Sequence, residues 1–214
     1  ARNGRQDAVV VFSPPFLLGW VGKIFSIFWG CPLVVNVQDL PLDAATSLGM
    51  IQNGWFADLV SIFERKVYMS ADFLVSISCG MIDVLASKGV SSEKLGLVPN
   101  WINVSGISED AKGAFRDRHP NSKGKFIVAY AGNLGIKQGI DSLLLLAKAV
   151  EDDSRFLFFL IGDGADKPRL SGIAEELKLS NTIFLPLLGP DDYHAMLQDV
   201  DVVFIGQRRG AGNN

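Results

Sequence analysis

Three short segments hold residues whose types and spacing could do chemistry. The first is YAGNLGIKQG, Tyr130 to Gly139. An apolar run leads into Gly132, with Asn133, Gly135 and Lys137 close behind. Glycines let the backbone approach a ligand closely, and free N–H groups at a helix start attract an anion. A helix is expected to begin near Lys137, whose ammonium adds positive charge over a phosphate. The competing reading is a tight strand-to-helix turn. The second segment is LIGDGADKPRL, Leu160 to Leu170. Gly162 and Gly164 again follow an apolar run and precede a helix. Asp163 between them accepts hydrogen bonds from a ligand hydroxyl or caps its own turn. The third is FLPLLGPDDY, Phe184 to Tyr193. The backbone around Leu185 to Leu188 faces a nucleobase or forms a rigid connecting loop. The chain has 22 glycines, so no single glycine motif discriminates strongly.

These segments need strands that end, and helices that begin, at the right places. Apolar runs alternate with helical periods along most of the chain. AVVVF, LVVNV, DFLVSIS and KLGLVPN read as strands before residue 105. Trp55, Leu59, Ile62, Phe63 and Val67 keep helical spacing, and Ser78 suits the cap of a helix closed by Gly89. QDLPLDAATSLGM reads as a loop. From about Trp101 to Lys125 the texture turns polar and rich in Gly, Ser and Pro. We expect one domain over 1–105, a linker region over 106–125 and a second domain over 126–214. In the second, FIVAYAG, RFLFFLIG, NTIFLPL and VDVVFIG alternate with three helical stretches. Such alternation predicts an α/β fold with two parallel sheets of Rossmann-like βαβ units, both incomplete. Uninterrupted apolar strands such as FLFFLI fit a sheet covered on both faces.

Composition removes several function classes. The chain is 48% hydrophobic and 20% charged, which suits a packed core. A net charge of −3 and the lack of an aromatic stacking pattern argue against nucleic acid as a partner. Cys31 and Cys79 have no metal-ligand spacing and read as two buried free thiols in a reducing cytoplasm. No metal or cofactor is expected. His119 and His194 lack a carboxylate or Cys at ligand spacing and are weak candidates for catalysis. Phe16 to Trp29, FLLGWVGKIFSIFW, is strongly apolar but shorter than the ~20 residues of a spanning helix. It is expected to be a buried helix, with a helix lying on a bilayer surface as the alternative. In that alternative, Trp20 and Phe25 are the residues to replace. The chain begins at Ala1 and shows no secretory signal, so it reads as an internal fragment.

The order strand-GNLGIKQG-helix, strand-IGDG-helix, strand-LP-loop and DVDVVF resembles the C-terminal domain of family 4 retaining glycosyltransferases of the GT-B fold. VVNVQDL, IFERKVYMSADFLVSIS and KGVSSEKLGLVPNWIN resemble the first half of the same family, in its bacterial exopolysaccharide and colanic-acid type. The resemblance implies a nucleotide-sugar donor and a lipid-linked or growing-glycan acceptor, without a metal. It puts Gly132, Asn133 and Gly135 over the phosphates, with Lys137 supplying charge. Gly162, Asp163 and Gly164 lie beside the nucleotide and Leu187 near the base. Arg208 or Arg209 contacts diphosphate or forms a solvated pair. It also implies a cytoplasmic enzyme, peripheral at the inner face of the membrane. Two departures stand out. Family members often carry Lys where this chain has Gln138, one position after Lys137. Where many carry His-Asp, this chain has Gln38 and Asp39, so Asp39 either orients a sugar or caps a turn. The family's donor-sugar glutamates are expected beyond Asn214 and its first Gly-rich loop before Ala1. The fragment alone is therefore expected to be inactive. A nucleotide-sugar 2-epimerase or a non-catalytic nucleotide-sugar binder are the alternatives.

Overall fold

A computed structural model describes residues 4, 6–42, 54–102 and 111–208, except for the side chain of Phe56. The chain divides into two compact units, Ala1–Ile102 and Asn103–Arg209. The first holds strands β1 (Val9–Ser13), β2 (Leu33–Val37), β3 (Phe73–Ser76) and β4 (Leu95–Leu97). They form one parallel sheet in sequence order. Helices α1 (Leu17–Trp29), α2 (Trp55–Ser70) and α3 (Cys79–Ser87) connect them. Most of the loop expected after Gln38 lies outside the described residues.

Local chemistry sets the helix ends. Gly30 takes the left-handed conformation that closes α1, with Cys31 N donating to Ser26 O at 3.1 Å. The Ser78 hydroxyl accepts from Met81 N at 3.2 Å and caps α3, as its position suggests. All three helices pack on one sheet face, where Leu33, Val35, Val37 and Leu74 meet Val67, Tyr68, Met81 and Leu85. Buried Glu64 in α2 is neutralised by Lys88 Nζ at 2.8 Å and bonded by Tyr68 Oη at 3.2 Å. On the opposite face Val10, Val34 and Phe73 align in register, and Val10 and Phe73 are exposed.

The apolar α1 departs from the burial expected of it. Its buried residues are small ones, Gly19, Gly22 and Ser26. A Cβ on Gly19 would lie 2.2 Å from Val67 Cγ1, and one on Gly22 would lie 2.5 Å from Val11 Cγ2. The helix thus sits close against β1 and α2 on its glycines. Its large side chains point outward, and Leu17, Val21, Ile24 and Phe28 are exposed. Trp20, half-buried against the core, and Trp29, also half-buried, are the exceptions. No described helix is long and apolar enough to cross a membrane. The cysteines are free, but Cys79 is exposed and Cys31 only half-buried, contrary to the two buried thiols expected.

The second unit holds β5 (Phe126–Ala131), β6 (Phe156–Ile161), β7 (Thr182–Leu185) and β8 (Val202–Val203), parallel in the order β7-β6-β5-β8. Its helices are α4 (Ala114–Arg118), α5 (Asp141–Ala149), α6 (Lys167–Glu176) and α7 (Pro190–Asp199). Leu143, Leu144 and Leu170 of α5 and α6 cover the Val128, Tyr130, Phe158 and Leu160 side of the sheet. Phe115, Ala195 and Met196 of α4 and α7 cover the Ile127, Ala129 and Phe159 side. Double coverage explains the unbroken apolar runs of β5 and β6.

Residues 111–125, within the stretch read as a linker, are built into this unit. Phe115 is buried in the sheet's core. The Asp199 carboxylate accepts from Gly113 N at 2.6 Å, Phe115 N at 2.8 Å and Arg116 N at 3.1 Å. It thereby satisfies N–H groups at the start of α4, where a helix has no partners of its own. Arg116 bonds the carbonyls of Asp199, Ser122 and Lys125 and the Asp201 carboxylate. Replacing Asp199 by Ala strands three N–H groups, two of them partly and one fully buried. The expected loss is about 2–4 kcal/mol of unfolding free energy. Urea denaturation would check it, and a change below the noise would show that α4 is not anchored through this carboxylate.

Candidate functional site

In a parallel sheet the free N–H groups and helix starts gather at the carboxyl edge of the strands. Strands β6, β5 and β8 are neighbours, so the loops leaving them meet there. Gly132 N donates to Ile161 O at 2.9 Å and Leu134 N to Asp163 O at 2.8 Å. Asp166 N donates back to Leu134 O at 2.9 Å. The glycines are needed because backbone meets backbone. A Cβ on Gly162 would lie 1.9 Å from Gly132 O, and one on Gly164 would lie 2.3 Å from Leu134 O. Gly162 also has φ +139°, which side chains disfavour. From the other side Arg208 N donates to Lys137 O at 2.8 Å, and a Cβ on Gly206 would lie 2.3 Å from Gln138 O.

Tyr130 supports the first loop from below, with its phenol donating to Asn133 O at 2.7 Å. Burial pushes its pKa upward, so it stays a proton donor at neutral pH. Lys137 does not open a helix. It lies in a short 3₁₀ turn, Ile136–Gln138, and α5 begins only at Asp141. Asp163 Oδ1 accepts from Gly164 N at 2.8 Å and closes its own turn. Lys167 Nζ lies 3.3 Å from Gly162 O and 3.9 Å from Asp163 Oδ1.

A charged chain ties the edge together. Asp141, in the first turn of α5, accepts from Arg208 Nη2 at 2.7 Å and from Arg169 Nη1. Arg169 also forms a two-pronged bond with the Asp166 carboxylate, at 2.7 and 2.6 Å. The loops after β5, β6 and β8 are thus linked by charge as well as by backbone bonds. Burial pushes the Asp141 carboxyl up, but the bonds and charges of Arg169 and Arg208 outweigh it, and its pKa lies below the usual value.

The structure brings Gly132, Asn133, Gly135, Lys137, Gly162, Asp163 and Gly164 to one edge. Leu187 follows one strand further out, in the loop between β7 and α7, and is 73% exposed. Arg209 lies outside the described residues. Asp39 belongs to the first unit, just past β2, where its Oδ1 accepts from Leu40 N at 2.9 Å. Beside it Gln38 Nε2 donates to Asn36 Oδ1 at 2.7 Å. His119 packs against Phe115 and Phe159, at 4.5 and 5.3 Å between ring centroids. Burial and then the charge of Arg118 lower its pKa. Two shallow depressions, beside Phe126 and Arg155 and beside α6 and β7, lie away from the glycine loops. The sequence reading missed Asp141 and Arg169. An Asp just after the first glycine segment and an Arg just after the second were the available signals, but only the sheet order shows that they meet.

Two Rossmann-like parallel sheets, the second with glycine loops interlocked at its carboxyl edge, define the class of α/β protein. The chain matches the glycosyl transferase 4-like domain over residues 1–101 and the glycosyl transferases group 1 domain over 111–212. It belongs to the family 4 glycosyltransferases of GT-B fold. It is 28% identical to the colanic acid biosynthesis glycosyl transferase WcaI of Escherichia coli K12, across 99% of this chain and 53% of WcaI. It is also 28% identical to the glycosyltransferase WbjE of Pseudomonas aeruginosa, across 77% of this chain and 42% of WbjE. The chain thus spans about half the length of these relatives. Its fold is that of Anabaena HepE, solved with UDP-glucose, at a TM-score of 0.73 and 16% identity, covering 93% of this chain and 53% of HepE. WaaG, a glycosyltransferase involved in lipopolysaccharide biosynthesis, gives 0.68 at 13% identity over 89% and 57%.

Two outcomes follow from this geometry. Gly162→Ala forces Gly132 O away and is expected to cost about 2–4 kcal/mol in urea denaturation. An unchanged midpoint would show that the loops are free to separate. Asp141→Asn is expected to lower stability at pH 7 by at most ~1 kcal/mol, since the network is partly exposed. A carboxyl whose pKa is depressed on folding stabilises above its unfolded pKa, and this is lost as pH falls through the folded value. The gap between wild type and Asp141→Asn should therefore close on acidification below about pH 4, the unfolded Asp range. A gap that persists in acid would exclude the ion pairs as its source.

Proposed function

We propose that this chain holds the nucleotide-sugar donor of a glycosyltransferase. The sugar passes, with retention of configuration, to a lipid-linked or growing polysaccharide acceptor in cell-surface polysaccharide biosynthesis. The observation carrying this reading is the interlocked glycine edge of β5, β6 and β8 in a chain of this family. WcaI, by its name, acts in colanic acid biosynthesis, which favours a polysaccharide acceptor, and HepE was solved with UDP-glucose, which favours a nucleotide-sugar donor. Cleaving the sugar–phosphate bond leaves negative charge on the diphosphate. The loop of Gly132, Asn133 and Gly135, with Lys137 and Arg208 or Arg209, stabilises that charge without requiring a metal; Gly132 N and Gly135 N are held by Ile161 O and Asn133 O, so the loop donates through Asn133 N. Gly162, Asp163 and Gly164 flank the nucleotide, and Leu187 offers an apolar surface to its base. Asp39, just past β2, orients the acceptor or donor sugar. The enzyme works in the cytoplasm at the inner face of the membrane, where lipid-linked acceptors are found. No observation favours the epimerase alternative.

Thermal unfolding with UDP, GDP, uridine and inorganic phosphate tests the donor reading. A nucleoside diphosphate at 100 times its Kd adds about 2.7 kcal/mol to folded-state stability and raises Tm. Lys137→Ala and Arg208→Ala are each expected to weaken UDP or GDP binding about tenfold or more, the loss of one charge-assisted bond. No shift with either diphosphate, or equal affinity in both variants, would sink the assignment of this edge to the diphosphate.

A further inference from the structure

The amino edge of the second sheet carries a depression that donor binding does not use. Gly124, Lys125, Phe126, Arg155, Phe156 and Asp201 line it, and its volume of about 370 Å³ is at the small end of the range for ligand sites. β5 and β6 each run six residues from this edge towards the glycine loops, so about 20 Å separates the two places. An aromatic platform lies at the centre of the depression. The Phe126 and Phe156 rings meet edge to face at 5.6 Å between centroids, and Phe126 is 42% exposed. The polar groups around it are held from behind. Asp201 Oδ2 accepts from Ile127 N at 2.7 Å and from Arg116 Nη2 at 3.0 Å. Arg155 donates through Nε and Nη2 to the Asp153 carboxylate, and its guanidinium carbon lies 6.0 Å from the Phe156 ring centre. Arg116 Nη1 pins the Lys125 carbonyl at 2.9 Å. One acceptor and two donors are left over. Asp201 Oδ1, Lys125 Nζ and Arg155 Nη1 make no hydrogen bond or ion pair with another described residue.

We propose that this amino-edge depression binds a sugar ring of the polysaccharide, at a site separate from the donor edge. A pyranose has an apolar C–H face that lies on an aromatic ring, and a rim of hydroxyls that each donate and accept. The depression offers the matching set. Phe126 lies under the C–H face, Asp201 Oδ1 accepts from one hydroxyl, and Lys125 Nζ and Arg155 Nη1 donate to others. A phosphate is disfavoured here by the Asp201 carboxylate. A purely apolar ligand would strip water from three charged groups and give them no partner. Because Asp201 and Arg155 are already oriented by Arg116 and Asp153, binding does not have to order them. The inference rests on the glycosyltransferase reading for the identity of the glycan. It adds a second hold on the growing chain, which keeps the polymer beside the enzyme between transfers.

Titration of the isotope-labelled chain with methyl glucoside, methyl galactoside and methyl mannoside, followed by amide NMR shifts, tests it. A ring held by one stacked face and a few exposed hydrogen bonds is expected to bind with a Kd of about 1–10 mM. The shifts should saturate for at least one of these sugars and centre on Lys125, Phe126, Ile127 and Phe156. Phe126→Ala, Lys125→Ala and Arg155→Ala should each weaken binding about threefold or more. Leu145→Gln, at an exposed apolar position of α5, should bind like wild type. Lys125→Ala and Arg155→Ala should leave thermal unfolding unchanged, which separates lost binding from lost folding if Phe126→Ala loosens β5. The UDP or GDP shift should be the same in every variant. A missing diphosphate shift with sugar binding intact counts against the donor reading alone. Absence of saturable sugar shifts up to ~50 mM overturns the proposal, whatever the diphosphates do. So do shifts confined to the glycine loops, or an affinity that the Phe126, Lys125 and Arg155 variants all keep. Uridine shifting the same amides as strongly would assign the platform to a base and overturn it too.

Discussion

At the carboxyl edge of the second sheet, backbone approaches backbone more closely than any side chain permits. Gly162 faces Gly132 O and Gly164 faces Leu134 O at distances where a Cβ would collide. This constraint fixes the other features of the edge. It draws the loop after β6 under the loop after β5, so Leu134 and Asp166 can exchange backbone bonds with it. It places the start of α6 beside the start of α5, so Arg169 reaches both Asp166 and Asp141. On the far side, Gly206 lets the exit of β8 close on Gln138, which brings Arg208 to the same Asp141. Glycine serves here because of what it lacks, and the resulting surface is lined by backbone and by paired charges.

The first unit uses glycine for a different purpose. In α1, Gly19 and Gly22 lower the helix onto β1 and α2, so contact with the core is made through the backbone and small side chains. The large apolar residues are then left with the outside. Composition alone could not separate this arrangement from an interior helix, because both are apolar all round. The separating feature is the angular position of the small residues. Gly19, Gly22 and Ser26 share one face at helical spacing, and Leu17, Val21, Ile24 and Phe28 share the opposite one. A buried helix would bring bulky residues to the core on at least one side.

The alternation of strands and helices was legible because each element is local: period, caps and turns lie within a few residues. The Ser78 cap and the closure of α1 at Gly30 are of this kind. The glycine segments were legible for the same reason, and the family order of the motifs gave their arrangement. Interactions set by strand order were not legible. Asp199 caps α4 from 84 residues away, which turned an apparently polar linker into structure. Asp141, Arg169 and Arg208 come from three different loops and meet only because β6, β5 and β8 are neighbours. The role of Asp39 stays a matter of family position, since its visible bond is to its own loop.

The one-residue displacement of the loop lysine is explained by the turn that carries it. Ile136 to Gln138 form a 3₁₀ turn, in which neighbouring side chains diverge by about 120°. Lys137 and Gln138 therefore cannot substitute for each other in place. The Gln138 Oε1 is buried, without a hydrogen-bond partner among the described residues, and it sits where a Cβ on Gly135 would be 2.8 Å away. A lysine at 138 in that orientation would bury an ammonium group beneath the glycine loop, at a desolvation cost. Glutamine fills the space without a charge. The cation of this loop then belongs one position earlier, at Lys137, whose carbonyl is pinned by Arg208 N. Two basic residues are in this way held by one backbone bond, so a change in the path of the loop after β8 must move Lys137 as well as Arg208.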